Sequence, residues 1–202
     1  MPRLFVSLEV PDEGLRPIVS FPAAQPAHVT LAFLGDVPEE RISALERTLA
    51  EAATSTAPFE FVLQGVGAFP GRQRPRVVWV GFAQGNAQIS RLAAKVAEAI
   101  RLWGGPIEPR PFTAHVTLFR VNNPGLHRRA QEVLRLPPDS AFGGGEAKEI
   151  RLRESHLLRG GATHSVRRAF TLGTGPPSAG PNEEHRSPAS PPRDSADTLN
   201  LG

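Results

Sequence analysis

The feature that most constrains this chain is a tetrapeptide that occurs twice, as His28-Val29-Thr30-Leu31 and again as His115-Val116-Thr117-Leu118. With equal residue usage, a given tetrapeptide would recur by chance in such a chain with a probability on the order of one in a thousand. Each copy lies in an apolar, β-branched run, which favours a strand whose side chains alternate between two faces. We therefore predict that the histidine and threonine of each copy share one face, while the valine and leucine enter a core.

Two such strands facing each other would bring two imidazoles and two hydroxyls into one cleft. A single histidine in a strand is more often structural than catalytic, and threonine is common in strands because of its propensity. The identical context of both copies favours the functional interpretation. The other histidines lack matching surroundings and are predicted to be surface or structural residues: His127, His156, His164 and His185. Four aromatic residues are predicted to lie mainly in the core, although one aromatic at a groove rim could stack on a base: Phe33, Trp79, Trp103 and Phe119.

Composition limits the class of protein. The chain has 202 residues, 40% apolar and 21% charged, which is enough for one sizeable core. No apolar run approaches the roughly 18 residues of a membrane span, and the first residues do not resemble a secretion signal. We expect a cytoplasmic monomer without membrane contact. The absence of cysteine excludes disulfides, thiolate metal sites and cysteine nucleophiles.

Charge alone does not identify a partner. The net charge is only +3, and the basic residues are arginines except for Lys95 and Lys148. This usage is typical of a GC-rich genome and equally of selection for phosphate binding. Three arginines in one turn-rich segment, Arg72, Arg74 and Arg76, fit contact with a polyanion and a solvated loop about equally well.

Hydrophobic periodicity predicts an α+β fold. Strands are expected at 4–8, 28–34, 59–63, 76–82, 116–119, 147–158 and 164–172. Helices are expected at about 36–53, 89–103 and 126–136, the first with Asp36 as a capping residue and the second stopped by Gly104. The triplet Gly143-Gly144-Gly145 is interpreted as a break. Residues 174–202 are rich in Pro, Ser and Gly and almost devoid of apolar residues, so this tail is predicted to be disordered.

The two motif segments resemble those of a known family. Residues 28–35 are similar to the H-x-T-L-x-F-L-G segment of the 2H phosphoesterases, and residues 111–120 to their R-P-F-x-P-H-x-T-L-x-R segment. More narrowly, the chain resembles the RNA 2′,3′-cyclic phosphodiesterases, also called 2′-5′ RNA ligases, over about residues 1–173. It departs from them in a shortened segment before His28 and in Ala114, where the family usually has proline.

The resemblance implies one bilobal α+β domain over residues 1–173. Two pseudo-symmetric lobes would each contribute an antiparallel sheet to a central groove, with helices outside. It also implies metal-independent hydrolysis of RNA 2′,3′-cyclic phosphate ends to 2′-phosphomonoesters, with no cofactor and with reversible 2′-5′ ligation as a side activity. By resemblance, His28 is the proton donor and His115 the proton acceptor.

The residue types suit this chemistry. Two imidazoles with an ordinary pKa of about 6.5 can divide the acid and base roles near neutral pH. Thr30 and Thr117 are candidate donors to the nonbridging phosphate oxygens. Arg120 is a weaker candidate phosphate ligand, because strict alternation places it off the His/Thr face.

Two other classes of function remain open on sequence alone. A metallohydrolase would use the two histidines as ligands, but neither motif has an Asp or Glu at ligand spacing. A binding module would recognise RNA ends or nucleotides in the same groove without turnover. Hydrolysis in the presence of a chelator distinguishes both from the two-histidine mechanism.

Overall fold

The computed structural model describes residues 1–19, 26–106, 108–158 and 161–173. Within these residues the strands are β1 (Arg3–Glu9), β2 (His28–Asp36), β3 (Phe59–Phe69), β4 (Val77–Gln84), β5 (Val116–Arg120), β6 (Ala141–Ala147), β7 (Glu149–Leu158) and β8 (Gly161–Thr171). The α-helices are α1 (Glu39–Thr54), α2 (Asn86–Trp103) and α3 (Pro124–Val133), and Glu13–Leu15 forms one turn of 3-10 helix. The predicted α+β class is confirmed.

The strands form one antiparallel sheet in the order β6-β3-β4-β5-β2-β1-β7-β8. This order divides into two halves of four strands. We call β2, β1, β7 and β8 the first lobe, and β5, β4, β3 and β6 the second lobe. The lobes join where β2 meets β5, through the single residue pair Val29 and Val116. The two sheets expected from the resemblance are therefore continuous, through a junction that lies immediately after each motif histidine.

Helices α1 and α2 pack against each other and against the sheet, α1 on β7 and β8 and α2 on β2 and β4. Their apolar stripes are fully buried, as Leu45 and Leu49 of α1 and Leu92 and Val96 of α2 show. Burying such a side chain stabilises the fold by about 1.5–3 kcal/mol. Because the helices cover this face, its strand positions are apolar, and polar groups are left to the opposite face.

The second helix ends as its sequence predicts, whereas the first begins differently. Gly104 follows α2 in the left-handed conformation, with φ +79°, which suits a residue without a side chain. Asp36 does not cap α1, so that prediction was wrong. It is the last residue of β2, paired with Arg3, and the helix starts at Glu39 after Pro38 without a side-chain cap. The strand therefore extends two residues beyond its predicted end.

The glycine triplet was also misassigned as a break. Gly144 and Gly145 lie in β6 and pair with Val62 and Phe61 of β3. A Cβ on Gly144 would lie 2.4 Å from the carbonyl oxygen of Phe61, so the close approach of the two backbones requires glycine. Here glycine accommodates a neighbouring strand and does not end one.

The structure bears on the predicted tail and on membrane spans only within the residues that it describes. The tail at 174–202, predicted to be disordered, lies outside them. Among the helices that the structure does describe, none is long and apolar enough to cross a membrane.

Candidate active site

The two motif histidines lie at the junction of the lobes. Val29 pairs with Val116 across the junction, so His28 and Thr30 flank the pair on one strand and His115 and Thr117 flank it on the other. The repeated tetrapeptide generates a local two-fold arrangement of two imidazoles and two hydroxyls.

Alternation along the strands separates the two kinds of side chain as predicted. The valines of the motifs are fully buried and the leucines are 5% exposed. The histidines and threonines are partly exposed on the other face. The structure thus brings the four predicted motif residues to one open face of the sheet, while their neighbours anchor the strands in the core.

Each histidine is held by the same backbone contact. The Nδ1 of His28 lies 2.8 Å from the carbonyl oxygen of Pro26, and the Nδ1 of His115 lies 2.8 Å from that of Thr113. Because a carbonyl only accepts, Nδ1 carries the proton and donates it in both rings. Nε2 is then the free nitrogen, ready to accept a proton when the ring is neutral and to donate one when it is charged.

Burial lowers the pKa of both histidines below 6.5. For His28, the Pro26 carbonyl opposes this effect, Arg153 adds to it, and Glu9 raises the pKa again. For His115, the Thr113 carbonyl raises the pKa and Arg120 lowers it. The charge of each histidine also depends on the other, since a proton on His115 disfavours one on His28.

A third histidine, predicted from sequence to be a surface or structural residue, packs beside His28. His164 of β8 lies 5.7 Å from His28, ring centre to ring centre, in an edge-on arrangement. Phe5 of β1 completes the cluster, 5.6 Å from His28 and 4.8 Å from His164. His164 was predicted to be structural because its neighbours in sequence match nothing. Only the pairing of β8 with β7, of β7 with β1 and of β1 with β2 brings it beside His28, which lies far away in sequence.

A partly buried polar network adjoins this cluster. Arg153, with 1% of its side chain exposed, donates to the hydroxyl of Ser7 at 3.0 Å and to the carboxylate of Glu9. Glu9 also pairs with Arg151 at 2.5 Å and stands opposite His28 in the β1–β2 register. The first lobe therefore surrounds its histidine with paired charges.

The second lobe surrounds its histidine with aromatic rings. His115 lies 5.0 Å from the ring of Phe69 and 6.2 Å from that of Trp79. Gly67 allows this arrangement, because a Cβ there would lie 2.2 Å from the Trp79 ring. Trp79, expected mainly in the core, instead lines an open cavity of about 360 Å³, which also borders Gln64, Gly65, Val66, Arg72, Gly81, Phe82, Asn86, Thr113, Ala114 and Pro138.

The remaining aromatic predictions had mixed outcomes. Trp103 and Phe119 pack against the core as expected. Phe33 does not, because 63% of it is exposed. Its ring lies 6.2 Å from Phe5, whose own ring contacts His28, so Phe33 belongs to the open face.

The arginine candidates lie on the second lobe. Arg120 ends β5, is exposed, and lies close enough to His115 for its charge to lower the pKa of that histidine. Arg72 donates to the carbonyl of Leu134 and borders the cavity. Arg74 and Arg76 are exposed in the segment that leads into β4.

The other titratable candidates lie away from the pair. His127 is exposed on α3, and His156 contacts Ser165 at 3.0 Å. His185 lies outside the described residues. Within the described ranges, no three His, Cys, Asp or Glu side chains come together in a way that could hold a metal ion.

Comparison with known proteins gives this site a family context. The family model described as the 2′-5′ RNA ligase superfamily matches residues 19–155. A protein of Archaeoglobus fulgidus named RNA 2′,3′-cyclic phosphodiesterase is 34% identical over 180 residues, covering 83% of this chain and 99% of its own. A protein of the same name from Aquifex aeolicus is 33% identical, covering 74% of this chain and 79% of its own.

Solved structures agree with the sequence comparisons. The crystal structure of a Thermus thermophilus protein matches with a TM-score of 0.68 and 28% identity, covering 85% of this chain and 99% of that chain. E. coli LigT, crystallised with NADP⁺, matches with a TM-score of 0.65 and 27% identity, covering 85% and 98%.

A continuous antiparallel sheet that carries one His-x-Thr motif in each half, with both pairs at the junction, defines a two-histidine phosphoesterase. The chain belongs to the 2′-5′ RNA ligase superfamily. The resemblance predicted from the two motifs is thereby confirmed.

Proposed function

We propose that this protein hydrolyses RNA ends that carry a 2′,3′-cyclic phosphate, without a metal ion, and leaves a 2′-phosphomonoester. The observation that carries the proposal is the matched geometry of His28 and His115. Each donates Nδ1–H to a backbone carbonyl at 2.8 Å and has Nε2 free, on either side of one residue pair. The names of the curated relatives support the substrate class.

In this reaction, water attacks phosphorus and the bond to the ribose 3′ oxygen breaks. Neutral His115 accepts a proton from the attacking water through Nε2, and protonated His28 donates one to the departing 3′ oxygen. The net change is the addition of one water across the P–O3′ bond. After turnover the two histidines have exchanged protonation states, and solvent restores them.

The neighbouring charges act differently on the two histidines. Glu9 beside His28 raises the pKa of that histidine and so favours its protonated form, against the opposing effects of burial and Arg153. Arg120 lowers the pKa of His115 and favours its neutral form. A bound phosphodiester anion would raise the pKa of both rings. The effect would be larger for the ring that lies closer to the anion, and would favour its protonated form.

The hydroxyls and Arg120 are assigned to the phosphate. Thr30 and Thr117 lie on the histidine face, each beside the Val29–Val116 pair, where their hydroxyls can donate to the nonbridging oxygens. Arg120 supplies positive charge at the end of β5. Reversal of the reaction, with a 5′ hydroxyl in place of water, would join RNA ends through a 2′-5′ linkage.

Product analysis tests the proposal. A short RNA ending in 2′,3′-cyclic phosphate is incubated in chelator with the intact protein and with His28→Ala and His115→Ala variants. We expect conversion to the 2′-phosphate by the intact protein and a loss of about 10²–10⁴-fold in each variant. A 3′-phosphate product would contradict the assignment of the leaving oxygen. Loss of activity in chelator would indicate a metal-dependent hydrolase, and RNA binding without turnover a binding module.

A further inference from the structure

The arginines of β7 and β8 differ from three exposed arginines at or beside β4 and β5 in whether they form ion pairs with carboxylates. All four arginines of β7 and β8 form ion pairs with glutamates, at Arg151, Arg153, Arg167 and Arg168. Three exposed arginines of the second lobe form no ion pair and no side-chain hydrogen bond within the part of the chain that the structure describes: Arg74, Arg76 and Arg120. We call these three the arginine edge.

The arginine edge begins at the proposed site and continues away from it. Arg120 lies three residues beyond Thr117, about 10 Å along an extended strand. The next residue, Val121, donates its backbone N–H to the carbonyl of Arg76 at 2.9 Å, so Arg76 and Arg120 are neighbours at one end of the β4–β5 pair. Arg74 lies two residues before Arg76 on the connection from β3.

Charge gives this edge a chemical preference. Among the described residues, no carboxylate forms an ion pair with these three arginines as glutamates do with those of β7 and β8, so their positive charge is not offset by a direct partner. A polyanion lying along the edge would offset it. Arg72 does not belong to this set, because its guanidinium donates to the Leu134 carbonyl.

We propose that the arginine edge binds the backbone phosphates of the nucleotides on the 5′ side of the reacting end, so that the protein recognises an RNA chain and not the terminal nucleotide alone. This inference rests on the proposed function, because it takes the reacting phosphate to lie between His28 and His115. The edge then makes RNA length a determinant of specificity. The ligand class is a single-stranded nucleic-acid backbone, read by charge and not by base.

The test compares two substrates with the same reactive group. One is adenosine 2′,3′-cyclic monophosphate, and the other is a six-nucleotide RNA that ends in the same nucleotide. The Arg74→Gln/Arg76→Gln variant is measured against the intact protein. An Arg47→Gln/Arg91→Gln variant removes the same charge from exposed positions on α1 and α2 and serves as the matched control.

For the hexanucleotide, we expect kcat/KM of the edge variant to fall by about 10- to 30-fold at 0.1 M salt. Its dependence on log salt concentration should become shallower by about 1.4, since each phosphate contact to a single strand contributes about 0.7. Hydrolysis of the mononucleotide should stay within twofold for every variant. Equal losses on both substrates, no loss on the RNA, or an equal loss in the control variant would overturn the proposal.

Equilibrium binding separates this proposal from the proposed function. A labelled hexanucleotide ending in 2′-phosphate is titrated with each protein and followed by fluorescence anisotropy. The edge variant should bind about 10- to 30-fold more weakly than the intact protein, and the control variant equally well. This outcome supports the edge even if the intact protein proves not to hydrolyse RNA. Unchanged affinity in the edge variant would overturn it even if hydrolysis is confirmed.

Discussion

The two lobes carry the same four-residue motif in unlike surroundings. Both histidines donate Nδ1–H to the carbonyl two residues earlier, at the same distance. Around His28 the first lobe places Phe5, His164 and a partly buried network of paired charges. Around His115 the second lobe places aromatic rings and an open cavity. The motif therefore supplies the same reacting groups to both lobes, and the other residues of each lobe give its histidine a different environment.

This difference bears on the two roles in the reaction. Burial lowers the pKa of both histidines. At His28, Arg153 lowers the pKa further and Glu9 raises it. At His115, the only nearby charge among the described residues with a resolved effect is Arg120, which lowers the pKa. A chain with two equivalent histidines would have no reason to prefer one direction of proton transfer. The same substitution made in each motif, followed by a comparison of the losses in activity, tests whether the two histidines have different roles.

The largest expected effect separates donor from acceptor. His28→Ala and His115→Ala should each lose about 10²–10⁴-fold in kcat on the natural linkage. With sulfur in place of the 3′ oxygen, the leaving group needs no proton, so His28→Ala should recover most of that loss. His115→Ala should recover little, because water still needs a base. Recovery in His115→Ala but not in His28→Ala would reverse the assignment.

The threonines provide the next comparison. Thr30→Val and Thr117→Val keep the volume and remove only the hydroxyl, and each should lower kcat by about 10²-fold. Similar losses would show that both lobes hold the phosphate oxygens. Urea unfolding serves as the control, since the free energy of unfolding should change little at these partly exposed positions. If neither substitution affects kcat, the hydroxyls do not contact the reacting group.

The smallest effect is expected at His164, which has no counterpart in the second lobe. Its ring packs edge-on against His28 and Phe5, and its buried Nδ1 has no hydrogen-bond partner among the described residues. The ring therefore acts as packing. His164→Ala should lower kcat by up to about tenfold, and His164→Phe should restore most of it. If the Phe variant is as impaired as the Ala variant, a nitrogen of His164 is required.

The same residue predicts a pH dependence of stability. Burial, with the nearby charges of His28, Arg153 and His156, lowers the pKa of His164 from 6.5 to about 4. Below pH 6.5 the unfolded chain takes up a proton that the folded protein refuses, so stability falls as the pH drops from 6.5 to about 4. Unfolding of His164→Phe by urea should show a shallower decline over that range. An identical decline in both proteins would contradict the lowered pKa.

Much of the site follows from sequence because alternation along a strand is a local property. Once Val29 and Val116 are assigned to a core, the positions of His28 and Thr117 on the other face follow from the period of two. Helix α2 could also be predicted from sequence, because its apolar residues recur at helical spacing and Gly104 marks its end. Local periodicity and turn chemistry are visible in a single sequence.

What could not be predicted depends on pairing between distant strands. His164 joins the site only through β7 and β1, and Trp79 lines the cavity only because β4 pairs with both β3 and β5. The glycines of β6 are typical of a turn until a neighbouring backbone is seen to approach within van der Waals contact. Phe33 is typical of a core residue until the face it occupies is known. Such features depend on tertiary structure, which no short window of sequence contains.

The pH dependence of kcat/KM, measured on cyclic-phosphate RNA in chelator, is the decisive test of catalysis by one charged and one neutral histidine. Activity should fall at low pH as His115 becomes protonated and at high pH as His28 loses its proton. Because burial lowers the pKa of both histidines below 6.5, we predict a bell-shaped profile with its maximum below pH 6.5. A profile that rises through a single limb to a plateau at alkaline pH would contradict catalysis by one charged and one neutral imidazole.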